Sequence, residues 1–160
     1  AISRQLFRIN RVVKELFEII GSTLSSFRVW GLTMAPIAAA LSSSAIETLA
    51  VTVFRGSTLG SSGTAVAPVK LDGRSSATAS FTALINSSAP GSSGASAALL
   101  YSKPWNTQVD FVWRPRPDER PLCILGQRLQ VRLGASAATV TLGGTLLIEE
   151  IGRLPGSTVK

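Results

Sequence analysis

The stretch PLCILGQRLQVRLGASAATVTLGGTLLIEE, residues 121–150, decides the fold class. Within it, Leu129, Val131 and Leu133 alternate with charged or polar residues. Alternation with a period of two places apolar side chains on one face of a strand and polar side chains on the other. Further apolar residues follow a glycine turn, with Gly143–Gly144 as an expected bulge or bend. We therefore predict a mainly β domain built from antiparallel strands.

Length and composition support one folded domain. The chain has 160 residues, of which 45% are hydrophobic and 16% charged, and a disordered chain has the opposite balance. The net charge of +7 is consistent with nucleic acid, a membrane surface or an acidic protein as partner. The basic residues are spread along the chain, so we expect no direct binding of nucleic acid. The single cysteine, Cys123, lies in an apolar strand pattern and is expected to be buried.

The N-terminal residues 1–20, AISRQLFRINRVVKELFEII, differ from the rest. Their apolar residues recur at spacings of four and three, which predicts an amphipathic helix. Its apolar seam includes Leu6, Ile9, Val13 and Leu16, which we consider candidate partner-binding residues. The seam packs on its own domain, or on sister subunits or a partner groove; a membrane surface is the least favoured option and is not expected as a partner.

These differences predict three segments. Residues 1–44 form an N-terminal helix and connecting arm, residues 45–151 a β-sandwich domain, and residues 152–160 a C-terminal tail. Charges interrupt the N-terminal apolar residues, so no signal peptide is expected there. We expect synthesis in the cytoplasm.

A second candidate contact lies at residues 114–121, RPRPDERP. Three prolines in this stretch favour an extended or turning segment, which carries Arg114, Arg116 and Arg120 beside two acidic residues. The arginines either form local ion pairs in an exposed loop or contact an acidic neighbouring subunit.

The residues needed for common catalytic sites are missing from the sequence. It contains no histidine, and it has neither of the glycine-rich patterns that bind phosphates. Only nine acidic residues occur, and no catalytic pair of them is evident. We expect no enzyme activity, no cofactor and no metal site.

Several stretches together resemble small virion proteins of tailed bacteriophages. The matching residues are Phe54-Arg55-Gly56, the segment GTAVAPVKLD at 63–72, Arg120-Pro121-Leu122, the segment GQRLQVRL at 126–133, and the closing TLLIEE at 145–150.

The resemblance covers roughly residues 45–150. It implies a jelly-roll-like antiparallel β-sandwich in the phage head, made in the host cytoplasm. Such a protein is a capsid decoration or cement protein, often a homotrimer, with the major capsid protein and sister subunits as partners. The N-terminal segment would then bind the shell or join subunits.

Other functions stay open at this stage. A head–tail connector or tail component could use the same fold. A carbohydrate- or receptor-binding module could use Tyr101, Trp105 and Trp113 as a platform for sugars, although core packing is expected for Trp113. A hydrolase is the weakest alternative, because no base is evident to activate a serine.

Overall fold

The structure is a computed structural model. It describes residues 2–9, 14–21, 25–37, 47–56, 63–69, 71, 79, 81–87, 98–124, 126–135 and 140–151.

The described residues contain strands and turns and no helix. The strands are β1 (Ile2–Ile9), β2 (Lys14–Ile20), β3 (Ser26–Pro36), β4 (Thr48–Gly56), β5 (Thr64–Val66), β6 (Thr82–Ser87), β7 (Ala98–Asn106), β8 (Phe111–Trp113), β9 (Leu122–Cys123), β10 (Arg128–Leu133) and β11 (Val140–Ile151). The predicted mainly β, antiparallel fold is therefore confirmed.

The strands form two antiparallel sheets. The five-stranded sheet has the order β1-β11-β3-β8, with β9 also paired to β3, and the six-stranded sheet has the order β5-β6-β2-β10-β4-β7. The pairing is nested: β4 pairs with β7, β3 with β8, β2 with β10 and β1 with β11. Successive nested pairs alternate between the two sheets. The two halves of the chain are thus paired along their length.

The core lies between the sheets, because side chains from both contribute to one apolar cluster. The five-stranded sheet supplies Phe27, Leu32 and Leu146, and the six-stranded sheet supplies Phe17, Val53 and Leu129. Aromatic pairs join the sheets across this core: Tyr101 stacks on Trp113 with ring centroids 4.6 Å apart.

Strand β10 lies inside the six-stranded sheet, between β2 and β4. Leu129, Val131 and Leu133 are fully buried, which confirms the alternation seen in the sequence. On the opposite face Gln130 is also buried. The strand is therefore covered on both sides, although its sequence predicts one polar, solvated face.

The structure corrects the predicted N-terminal helix. Strand β1 pairs with β11 and strand β2 pairs with β10 and β6, so these residues are extended. The four consecutive residues 16–19 are all buried, on both faces of β2. A strand covered on both faces does not alternate, and its apolar run resembles one side of a helix. Strand β2 also contains the aromatic Phe17 and the β-branched Ile19 and Ile20, residue types that favour strands.

The predicted boundary at residue 44 also needs correction. Strands β1 to β3 precede that boundary, yet they pair with strands from the C-terminal part of the chain. The N-terminal segment is thus integrated into both sheets and is not a separate arm. The sequence predicts a bulge or a bend at Gly143–Gly144, and the bulge is wrong, because both residues pair in register with β3. The predicted tail at residues 152–160 lies outside the described residues.

Candidate binding cleft on the five-stranded sheet

The outer face of the five-stranded sheet is partly apolar and open. Its exposed side chains include Trp30 on β3, Val112 on β8 and Leu122 on β9. The register places Val112 beside Thr33 and Leu122 beside Arg28, both on β3, so these side chains belong to the same face. Large exposed apolar groups on one face are typical of a contact surface.

A register shift places Trp30 on this face. Leu147 of β11 pairs with Gly31, whereas the next residue, Ile148, pairs with Val29, so Trp30 is an extra residue in β3. An extra residue of this kind is a β-bulge, which bends the strand and redirects side chains. Trp30 is 40% exposed as a result.

Charged neighbours hold the Trp30 indole in position. Its Nε1 donates a hydrogen bond of 2.8 Å to Oε2 of Glu149, and Arg28 lies 4.0 Å from the same oxygen. The guanidinium carbon of Arg120 lies 3.6 Å from the centroid of the indole ring. A guanidinium stacked on an aromatic ring keeps its N–H donors in its own plane, where they can reach other groups.

The arginine loop, residues 114–121, is fixed to the sheet at both ends. Pro115 and Pro121 are buried, and the carbonyl oxygen of Pro121 accepts a hydrogen bond of 3.0 Å from the backbone N–H of Val29. Within the loop, Glu119 N–H donates to the carbonyl of Arg116 at 2.9 Å. The loop therefore holds its arginines at defined positions along β3.

Gly31 lets the chain approach closely beside the bulge. A Cβ atom at this position would lie 3.1 Å from the carbonyl oxygen of Trp113 and 3.6 Å from Cγ of Arg114. The absence of a side chain leaves room for Arg114 to lie against β3.

Together these residues form a cleft of about 410 Å³, which we call the Trp30 cleft. It is lined by Trp30, Gly31, Leu32, Thr33, Arg114, Pro115, Arg120, Thr145 and Leu147. Its volume is within the range of small-ligand sites.

The Trp30 cleft carries positive charge that no carboxylate among the described residues neutralises. Among the described residues, Arg114, Arg116 and Arg120 form no ion pair with a carboxylate. Asp118 and Glu119, which the sequence places beside them, are not their partners. Arg120 Nε is buried without a hydrogen-bond partner. The prediction of local ion pairs in this loop is therefore wrong. The alternative, a contact with an acidic partner, remains a proposal.

A second depression continues from the Trp30 cleft. It has a volume of about 690 Å³ and is lined by Thr33, Met34, Ala35, Ile37, Asp110, Phe111, Val112, Gly143, Gly144 and Thr145. The two depressions share Thr33 and Thr145. They form one trough along β3, with Arg114 and Arg120 at one end and the exposed side chains of Ile37 and Val112 at the other.

The structure separates the candidate partner-binding residues of the sequence. Arg114 and Arg120 both line the Trp30 cleft, whereas Arg116 is exposed in the same loop without lining it. Leu16 is fully buried in the core, so its side chain offers no surface to a partner. Leu6 and Ile9 lie in β1, where only the backbone is described, and Val13 lies outside the described residues.

The sequence analysis missed Trp30. Its exposure follows from the bulge, and the bulge depends on the register with β11, which lies far away in sequence. The aromatic residues proposed as a platform for sugars are located differently: Trp105 is 3% and Trp113 8% exposed, so both belong to the core. Trp105 Nε1 also donates a hydrogen bond of 2.7 Å to the carbonyl of Val109.

Cys123 faces the core and is fully buried, as predicted. Burial raises the pKa of its thiol to about 12, and the nearby positive charge of Arg55 offsets part of that rise. A thiol with so high a pKa is a poor nucleophile at neutral pH. Within the described ranges, no group of three or more acidic or cysteine side chains is arranged to hold a metal ion. The same ranges contain no helix long and apolar enough to cross a membrane.

Comparisons with known proteins give no further constraint on this site. No protein-family model, curated protein or solved structure matches the chain.

Proposed function

We propose that this chain is a non-enzymatic virion protein of a tailed bacteriophage, with a jelly-roll fold, that decorates and stabilises the capsid. It binds the major capsid protein through the outer face of the five-stranded sheet, and it associates with sister subunits as a homotrimer. The arginine loop, with Arg114, Arg116 and Arg120, supplies the positive charge for the shell contact.

The strand order carries this proposal. With β5, β6 and β9 set aside as additions, the remaining eight strands can be renumbered 1 to 8 along the chain. The sheets then have the orders 1-8-3-6 and 2-7-4-5, which is the arrangement of a long hairpin wrapped into two sheets. This arrangement supports a jelly roll, a fold that recurs in viral capsid domains. Because folds host several functions, the contact surface has to be tested separately.

A pelleting assay tests the function directly. The purified chain is mixed with phage shells that lack it, and the bound copies per shell are counted. We expect saturation at hundreds of copies, with weaker binding as the salt concentration rises, because salt screens exposed charges. Saturation at roughly a dozen copies would instead indicate a ring-shaped connector or tail component. No binding to shells would contradict the proposal.

Charge variants show whether the arginine loop makes the contact. We expect the triple change Arg114→Gln, Arg116→Gln and Arg120→Gln to weaken shell binding strongly. The matched control is Lys103→Gln, which removes an exposed cation from the other sheet. Light scattering on the free chain measures whether it is a trimer.

Carbohydrate binding is a second candidate, and the exposed Trp30 favours it. Jelly rolls also occur as lectin domains, and an indole beside a cleft is a suitable platform for a sugar ring. Binding to a glycan array that is lost in Trp30→Ala, together with no binding to shells, would favour this function.

A further inference from the structure

We propose that the trough on the outer face of the five-stranded sheet binds an extended peptide segment of the partner, in which an acidic side chain is followed by apolar ones. The acidic carboxylate lies between Arg114 and Arg120 beside Trp30. The apolar side chains lie over the second depression. The identity of the protein that carries this peptide rests on the proposed function, but the chemistry of the trough does not.

The acidic end follows from the geometry of the guanidinium groups. Arg120 is stacked on Trp30; its Nε is buried, and the described residues show no ion pair for its guanidinium. A carboxylate accepts two parallel hydrogen bonds from one guanidinium, and Arg114 lines the same cleft. Glu149 is the nearby negative charge, and its carboxylate is already engaged by Trp30 and Arg28. The cleft therefore has donors available for a carboxylate from outside.

The apolar end follows from the second depression. Ile37 is 41% and Val112 51% exposed there, whereas the side chains of Met34 and Phe111 are buried in the core. Gly143 lies at the side of the depression on β11. Asp110 is also at this end, so a second acidic side chain would be repelled there. The trough thus distinguishes its two ends by charge.

The length of the trough suits a peptide better than a compact ligand. It follows β3 from Trp30 to Ile37. At a rise of about 3.3 Å per residue this is about 23 Å, the length of an extended peptide of about six or seven residues. Residues 152–160 of this chain carry Arg153 and Lys160 and no acidic side chain, so their charge does not match the arginine end.

Isothermal titration calorimetry with defined peptides tests the proposal. The probe is acetyl-EELALA-amide. Acetyl-QQLALA-amide removes the negative charge, and acetyl-EESGSG-amide removes the apolar side chains. We expect both controls to bind about tenfold more weakly or worse, because each lacks one of the two groups that the trough recognises. Failure of the probe to bind at millimolar concentration would overturn the proposal.

Variants of the chain locate the bound carboxylate. We expect Arg114→Gln and Arg120→Gln each to weaken binding of the probe about tenfold. Arg116→Gln, which removes the same charge from the same loop outside the cleft, should change it by less than about twofold. Val112→Ser should weaken binding of acetyl-EELALA-amide and leave that of acetyl-EESGSG-amide unchanged. Equal effects of all three arginine variants would contradict a defined carboxylate site.

A sugar carboxylate is the competing ligand, and glucuronate is its probe. Binding of glucuronate as tight as that of acetyl-EELALA-amide would overturn the peptide assignment. The peptide-binding assay and the shell-binding assay test the two proposals separately. Shell binding without binding of acetyl-EELALA-amide would contradict this inference alone, and peptide binding without shell binding would contradict the proposed function alone.

Discussion

Arginines on the outer faces of the two sheets have opposite environments. On the six-stranded sheet, Arg128 pairs with the fully buried carboxylate of Glu18 at 3.5 Å. Gln130 donates to the same carboxylate, and Arg132 donates to Gln130 at 2.7 Å. On the five-stranded sheet, Arg114 and Arg120 line an open cleft and form no ion pair within the described residues.

The difference indicates what each group contributes. A buried, hydrogen-bonded charge network affects folding, because removing one member leaves its partner in a medium that solvates charge poorly. Exposed Arg114 contributes little to folding, because water solvates it in the folded and unfolded chain alike. Arginines that contribute little to stability are available for binding, so the two faces should respond differently to the same substitution.

The largest effect is expected for Arg128→Met. The change removes the cation paired with buried Glu18 and should lower the free energy of unfolding by about 3 kcal/mol. This value is near the lower limit for breaking a buried ion pair, because Gln130 still donates a hydrogen bond to the carboxylate. Arg114→Met, the matched change on the open face, should stay within about 0.5 kcal/mol of the wild type. Urea unfolding measures both, and equal effects would contradict the comparison.

A smaller loss is expected for Gly31→Ala, at the edge of the Trp30 cleft. The new methyl group would lie 3.1 Å from the Trp113 carbonyl oxygen, and the backbone of β8 would have to move. Overpacking of this kind costs about 1–3 kcal/mol. Thr33→Ala, on the same face of β3, removes atoms instead and is the control for urea unfolding. An unchanged free energy of unfolding in Gly31→Ala would show that the close approach at Gly31 is not needed.

Strands β1, β2 and β10 show how far the fold could be predicted from the sequence. The alternation of Leu129, Val131 and Leu133 predicts β10 correctly, because that signal is local. The N-terminal strands could not be recognised in this way, since β1 pairs with β11 at the other end of the chain. Burial on both faces of β2 also removed the alternation that indicates a strand.

The candidate site could be predicted only in part, for the same reason. Arg114 and Arg120 belong to one short proline-rich loop, so the sequence alone shows that they are close together. Trp30 is brought to Arg120 by a bulge that depends on pairing between β3 and β11. The buried Glu18 could not be identified either, because its burial depends on the pairing of distant strands. Local pattern thus predicts strands and loops, and long-range register determines the site.

The two faces of β9 differ in burial, since Leu122 is exposed and Cys123 is buried. The pH dependence of stability should depend on Cys123 and not on Leu122. The pKa of Cys123 is about 12 in the folded chain, against an ordinary value of 9.0. Above pH 9 the unfolded chain therefore binds fewer protons than the folded chain, and stability falls as pH rises.

The expected slope from Cys123 is about 1.4 kcal/mol per pH unit above pH 9. Below pH 9 the thiol is protonated in both states and contributes no slope. Cys123→Ala should lack this slope, whereas Leu122→Ala should keep it. Urea unfolding at several alkaline pH values measures the difference, and parallel curves for the wild type and Cys123→Ala would contradict the raised pKa.

The smallest effect is expected for the contact between Arg120 and Trp30. The guanidinium lies over the indole at 3.6 Å, on a partly exposed face, where such a contact contributes about 0.5–1 kcal/mol. A double-mutant cycle with Arg120→Gln and Trp30→Leu isolates this term from the effect of each change alone. Urea unfolding of the four proteins should give a coupling free energy in that range. The same cycle with Arg116→Gln should give none, because Arg116 does not line the cleft. A coupling well above this range would mean that the stack contributes to the fold as the Glu18 network does, and the contrast between the two faces would then be wrong.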